Sequence, residues 1–412
     1  MPEQPGGEDL FQDNKMARNS SEMDRLKEIA LFFLRLGTTA FGGPAAHIAI
    51  MEDELVRRRK WLSREKFLDL LGASSLIPGP SSSELAIHIG YLRAGWMGLV
   101  VGGICFILPA AILVMGLAWA YVRFGHLPAV AGVLYGIKPV VIAVILQALW
   151  GLGRTAIKNT LLAAVCVTGI ALSFMGVNVL AILAGAGFLV ALGQAVSRNR
   201  RESLAAFPGS LFSFWQGLSL KAEFIFLAAT TAAAAVLPGM WELFRVFLKI
   251  GSIVFGSGYV LLAFLRADLV VHRGWITDAQ LVDAVAIGQV TPGPVFTTAT
   301  FLGYLLRGPV GGLVATAGIF LPAFVLVAIS GPIIPLIRKS TVAGSFLDGI
   351  NAASLAIMAA VSFQLGRSAI VDAWTAGLLA LSAILLLRFR INSAWLVLGG
   401  AIIGILVQAI RS

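Results

Sequence analysis

The chain has 412 residues, 58% of them hydrophobic and 13% charged, with a mean hydropathy of +0.89. A water-soluble domain of this length cannot hide that much apolar surface in its core, so composition excludes soluble classes and predicts a polytopic membrane protein. The net charge of +10 does not predict a nucleic-acid partner, because the basic residues fall in short loops between apolar runs, as the positive-inside rule expects.

In chain order, residues 1–28 are polar and mixed in charge without the apolar core of a signal peptide, which predicts a cytoplasmic, partly disordered tail. Apolar runs long enough for the roughly 30 Å hydrocarbon layer follow at 29–50, 67–92, 96–121, 130–150, 160–175 and 178–196. A linker at 198–244 carries one unpaired helix at 222–237, and 245–265, 280–305, 309–330, 344–366, 372–388 and 393–410 complete about 13 membrane segments. Continuous runs mean helices rather than barrel strands. Cys105 and Cys166 both lie inside these runs, which argues against a disulfide framework or a cysteine metal site.

The segments after the tail form a tandem repeat, 29–197 and 245–412. Phe41-Gly42-Gly43-Pro44 returns 214 residues later as Phe255-Gly256-Ser257-Gly258, and Pro78-Gly79-Pro80 returns as Pro292-Gly293-Pro294. Phe33, Leu34, Gly37, Leu55, Arg59, Trp61 and Asp69 meet identical residues at the same offset, and beyond the second proline the register continues one residue shorter. Function is expected where two such copies meet.

Loops rich in Lys and Arg at Arg57–Lys66, Arg154 to Lys158, Arg198 to Arg201, Arg338-Lys339 and Arg388 to Arg390 are expected on the cytoplasmic side. Five segments separate the first of these from 198–201, so one must fail to cross. The segment 67–92 is the candidate, broken by Pro78-Gly79-Pro80, and 29–50 is suspect through Gly42-Gly43-Pro44. An even number of crossings per repeat, with one linker helix between, then predicts an all-α fold of two inverted-topology repeats with broken or re-entrant helices.

After each Pro-Gly-Pro a helix restarts inside the membrane, at Ser81, Ser82, Ser83 and Glu84 in one copy and before Thr297 and Thr298 in the other. The unpaired N–H groups and positive dipole of such N-termini favour an anion, and two of them can bracket one. Capping of their own helices is the competing role for these hydroxyls. Arg35 and Lys249 occupy equivalent positions within apolar segments, and Lys138 aligns with Asn351; cations so placed are partnered, functional or snorkelling to an interface. Glu84 shares a helix face with His88 and can carry a coupling proton, cap its helix or pair with Arg35 or Arg93. His47, Glu84 and His88 open the rival class of an intramembrane metalloenzyme, which two histidines on separate segments do not favour. No catalytic residue, metal or cofactor is therefore expected.

Phe41-Gly42-Gly43-Pro44 with His47 and Glu54, Trp61-Leu62, Ile77-Pro78-Gly79-Pro80, Gly90-Tyr91, Pro109 and Thr291-Pro292-Gly293-Pro294 with Thr297 to Thr300 closely resemble the two-domain chromate transporters over about residues 29–410. The resemblance implies a multi-pass protein of the bacterial inner membrane, not an enzyme, that exports chromate and confers chromate resistance. Chromate resembles sulfate in shape and charge, so a sulfate or other oxyanion carrier of the same fold is the alternative. The implied partners are a tetrahedral oxyanion and membrane lipid, with assembly into a homo-oligomer left open. The expected substrate site comprises Arg35, Gly42, Gly43, Pro78, Gly79, Pro80, Ser81, Ser82, Glu84, Lys138, Lys249, Gly256, Pro292, Gly293, Pro294, Thr297 and Thr298. In the second copy Ser257-Gly258 replaces Gly43-Pro44 and Leu261 replaces His47, which argues against symmetrical use of the two first segments.

Overall fold

The computed structural model describes residues 7–41, 43–125, 127–197, 237–255, 258, 260–389 and 391–411. Gly42, Gly256 and all but the last position of the expected linker helix lie outside them. Every regular element among the described residues is helical. The first repeat runs α1 (Gly7–Thr39), α2 (Gly43–Met51), a π-helical turn (Glu52–Arg58), α3 (Arg64–Ser74), α4 (Ser81–Phe124), α5 (Pro128–Ala156), α6 (Thr160–Phe174) and α7 (Val179–Ser197). The second runs α8 (Met240–Ile253), α9 (Leu261–Leu265), a π-helical turn (Arg266–His272), α10 (Asp278–Val290), a 3-10 turn (Val295–Thr297), α11 (Thr298–Lys339), α12 (Thr341–Ala369), α13 (Ala373–Phe389) and α14 (Ser393–Arg411). The two π-helical turns stand 214 residues apart, and α5 and α12 match at both ends at an offset of 213.

The helix ends follow from local chemistry. Ser63 and Asn159 accept the N–H groups of Lys66 and Leu162 at the starts of α3 and α6, and Thr277 with Gln280 forms a reciprocal cap on α10. The expected segment 29–50 is divided between α1 and α2, and 67–92 between α3 and the start of α4, because proline lacks the N–H and glycine readily leaves helical geometry. α1 begins at Gly7, within the stretch assigned to the tail. Lengths also differ from expectation. Five helices among the described residues are long and apolar enough to cross a membrane: Ser81–Phe124, Val130–Ala156, Val295–Ser330, Val342–Ala369 and Ser393–Ile410.

α4 and α11 are hairpins rather than rods. Ala94 and Gly95 leave helical geometry, as do Arg307 and Gly308, with both glycines at positive φ. The limbs fold back so closely that a Cβ on Gly90 would lie 2.1 Å from the Gly98 carbonyl oxygen, and one on Gly303 would lie 2.3 Å from that of Gly311. Lipid tails are as apolar as leucine, so hydrophobicity does little to hold membrane helices together and close backbone approach through small residues takes its place.

The repeats exchange partners. α5 packs against α13 and α14 of the second copy, and α12 packs against α6 and α7 of the first. α5 and α12 also pack against each other, with Gly153 on Leu355 and Gly366 on Ile142. These two contacts are repeat equivalents, and their order shows that α5 and α12 run antiparallel. The largest apolar cluster draws on both copies, including Val141, Ile145, Phe247, Phe301 and Ile357.

Candidate functional site

The two Pro-Gly-Pro turns meet the broken first segments of the opposite repeat. Gly79 donates its N–H to the Val254 carbonyl at 2.7 Å, and Gly293 donates to the Ala40 carbonyl at 3.1 Å. Ala40 and Val254 are equivalent positions just past the ends of α1 and α8, so the contact is self-complementary, as about a two-fold axis. Each carbonyl stands where a helix has stopped and intrahelical donors have run out; the other repeat supplies the donor that lipid cannot. Gly79 faces Ala323, and Gly293 faces Ala110, again an equivalent pair. Gly79 at φ +140° and Gly293 at φ +95° hold conformations that side chains with a Cβ rarely adopt.

The polar groups around this crossing are not symmetrical. His47 places Nε2 3.2 Å from the Ala40 carbonyl and Nδ1 3.4 Å from Ser82 Oγ. A carbonyl only accepts, so Nε2 carries the proton and neutral Nδ1 receives the Ser82 hydroxyl. Ser82, His47, Ala40 and Gly293 thus form one hydrogen-bonded chain between the repeats. Leu261 stands where the second repeat would need its histidine.

Glu84 is fully buried and neither carboxyl oxygen has a partner. Its Oε1 lies over Gly79, 2.2 Å from where a Cβ there would sit. Ser83 Oγ and His88 Nε2, also buried, likewise have no partner. Unpaired polar atoms in a packed interior mark places where a ligand or water completes the bonding. Thr297, the equivalent of Glu84, donates instead to the Pro294 carbonyl at 2.8 Å, and Thr298 donates to Val295 at 2.8 Å. At these two threonines the hydroxyl serves its own backbone.

The expected cations divide three ways. Lys138 Nζ lies 2.9 Å from Asp283 Oδ1, and Tyr121 donates to Asp283 Oδ2 at 3.0 Å, so two first-repeat groups hold one second-repeat carboxylate. A cavity of about 530 Å³ opens beside them, lined also by Tyr135 and Ser368. Lys249 pairs with Asp268 at 3.2 Å. Arg35 is exposed on α1, one turn before the Ala40 carbonyl. Nor do His47, Glu84 and His88 come together as a metal-binding group.

Asp283, Asp268 and Tyr121 were not anticipated as partners. The signal for Asp283 was available: it is an acid inside an apolar run, matched by Asp69 in the first copy, and intramembrane acids are costly unless paired.

Comparison with known proteins gives concordant results. A family model described as chromate transporter matches residues 27–191 and 241–405, one match in each repeat. The chromate transport protein of Cupriavidus metallidurans is 32% identical over 92% of both chains. The probable chromate transport protein of Synechococcus elongatus is 30% identical over 92% of this chain and 95% of its own length, and a chromate transport protein of Pseudomonas aeruginosa is 31% identical over 81% and 80%. No solved structure matches the chain.

Proposed function

The chain belongs to the chromate transporter family, and from that premise we propose that it exports chromate across the bacterial inner membrane as a secondary transporter, conferring chromate resistance. It is a transport protein rather than an enzyme. The observation that carries the proposed mechanism is the reciprocal bonding of Gly79 to Val254 and of Gly293 to Ala40. Two equivalent units that share one crossing can open alternately to either side by moving against each other. The oxyanion is read as binding between the Pro-Gly-Pro turns, near Ser81, Ser82 and Glu84 at the start of α4, with Lys138 and Lys249, each held by an aspartate, as charge partners along its path rather than at the turns.

The inverted arrangement of the repeats belongs to the same proposal. Its support is the antiparallel pairing of α5 with α12, both long enough to span. An axis that reverses a spanning helix lies in the membrane plane, whereas an axis along the normal would leave the two helices parallel.

Export needs no coupling ion. With the interior at about −100 mV, moving a dianion outward gains roughly 4.6 kcal/mol, at about 2.3 per charge, which sustains a gradient of about three orders of magnitude. Inside-out vesicles bearing the protein should therefore accumulate chromate above its external concentration when the lumen is made positive, and that accumulation should be lost when the voltage is collapsed. Sulfate uptake that chromate fails to inhibit would favour the alternative oxyanion carrier instead.

A further inference from the structure

A second, smaller cavity of about 230 Å³ lies at the other end of α5, lined by Thr155, Ala156 and Lys158 from the first repeat and Asp348, Asn351 and Ser354 from the second, among others. It is the repeat counterpart of the Lys138 cavity. Tyr135, Lys138, Ser368, Ala369 and Val371 of the larger cavity are the equivalents of Asp348, Asn351, Thr155, Ala156 and Lys158 of the smaller one. Each copy of the architecture supplies one cavity, and in each a single lysine meets a single aspartate: Lys138 with Asp283 at 2.9 Å, and Lys158 with Asp348 at 2.7 Å. Neither charged partner stands at an equivalent position, since Lys158 corresponds to Val371 and Asp348 to Tyr135; what recurs in both cavities is one lysine paired with one aspartate.

We propose that the Lys158 cavity is a docking station for a divalent tetrahedral oxyanion on the cytoplasmic side, paired with a second station at Lys138 on the opposite side. Rise along α5 places Lys158 roughly 30 Å from Lys138, about the thickness of the hydrocarbon layer. Arg154 and Lys158 mark their end of α5 as cytoplasmic by the positive-inside rule. The cavity has the donors that an oxyanion needs. Lys158 supplies charge, Asn351 an amide, and Ser354 a hydroxyl that is buried and has no hydrogen-bond partner. A water occupies about 30 Å³ of liquid, so the space admits a five-atom ion with part of its hydration shell. Asp348 is the resident counter-ion: it holds Lys158 when the station is empty and gives it up to the arriving anion.

This inference rests on the transport reading, and its test uses the opposite signs expected of the two partners. In proteoliposomes with voltage-driven chromate flux measured from each face, Lys158→Gln should raise the half-saturation concentration from the cytoplasmic face by roughly three- to tenfold, the loss of one partly exposed charge-assisted contact. From the other face it should change less than twofold. Asp348→Asn should lower the cytoplasmic half-saturation, because it frees Lys158 for the substrate. A purely structural ion pair predicts instead that both variants impair flux alike and that Lys158→Gln with Asp348→Asn restores it; that result overturns the station. A site for lipid phosphate would change maximal rate with lipid charge and leave half-saturation unmoved, which overturns it equally. Wild-type flux with unchanged half-saturation in both variants defeats the inference alone, whereas wild-type protein that carries no chromate defeats the transport reading and the inference with it.

Discussion

Gly293→Leu should abolish chromate flux while leaving the protein inserted, and Gly79→Leu should do the same. At φ +95° a side chain at position 293 is strained by about 1–2 kcal/mol, and its Cβ would lie 2.6 Å from the Ala110 Cβ. Overpacking adds about 1–3 kcal/mol. The sum, about 2–5 kcal/mol, lies below the roughly 5–15 kcal/mol of a folded domain yet suffices to cut the crossed conformation more than tenfold. The two positions separate under milder change. At Gly79 the obstructing atom is the end of the flexible Glu84 side chain, whereas at Gly293 it is a β-carbon fixed to helix α4. Gly79→Ala should therefore retain more flux than Gly293→Ala. Normal flux in a properly inserted Gly293→Leu protein would remove the turn from the site, and loss of insertion alone would make its role structural.

The second large effect concerns Lys138. Replacing it with Gln leaves the Asp283 carboxylate buried, with Tyr121 as its remaining hydrogen-bond donor. Removing one partner of a fully buried pair costs about 3–5 kcal/mol. Lys138 keeps 22% side-chain exposure, so about 2–4 kcal/mol is expected here, read as a lower Tm in detergent. Adding Asp283→Asn should recover most of that Tm by removing the stranded charge. Chromate affinity should not recover, because the cation is still missing. Recovery of both in the double variant would confine Lys138 to a structural role.

What could be read from sequence was what local chemistry decides. Proline without an N–H and glycine with a free φ located the breaks at 40–43, 75–80 and 291–294, and the boundaries at 93–95 and 306–308 coincide with the hairpin turns of α4 and α11. The repeat was legible because its anchors are residues that few others replace. Partners were not legible. Arg35 and Lys249 are equivalent in sequence, yet one is exposed and the other pairs with Asp268, since hydropathy does not say which way a lone cation on a helix faces. Lys138 and Asp283 lie in different repeats, and only the exchange of helices between copies brings them together. Thr297 and Thr298, assigned to the substrate site with service to their own helix as the competing role, turn their hydroxyls back onto carbonyls three residues earlier, a choice that backbone geometry makes after the helix forms.

Both stations, the crossing and the voltage-driven cycle depend on the repeats having opposite orientation in the membrane. The substitutions Lys60→Cys and Gly274→Cys, made one at a time, place a thiol at equivalent positions in the loops after the two π-helical turns. Each is challenged with a reagent that does not cross the inner membrane, first in intact cells and then after permeabilisation. The thiol at position 274 should react from outside, and the one at position 60 only after the membrane is permeabilised, because the 57–66 loop carries the denser positive charge. Labelling of both from the same side would contradict the inverted repeat and, with it, the placing of the two lysine stations on opposite faces.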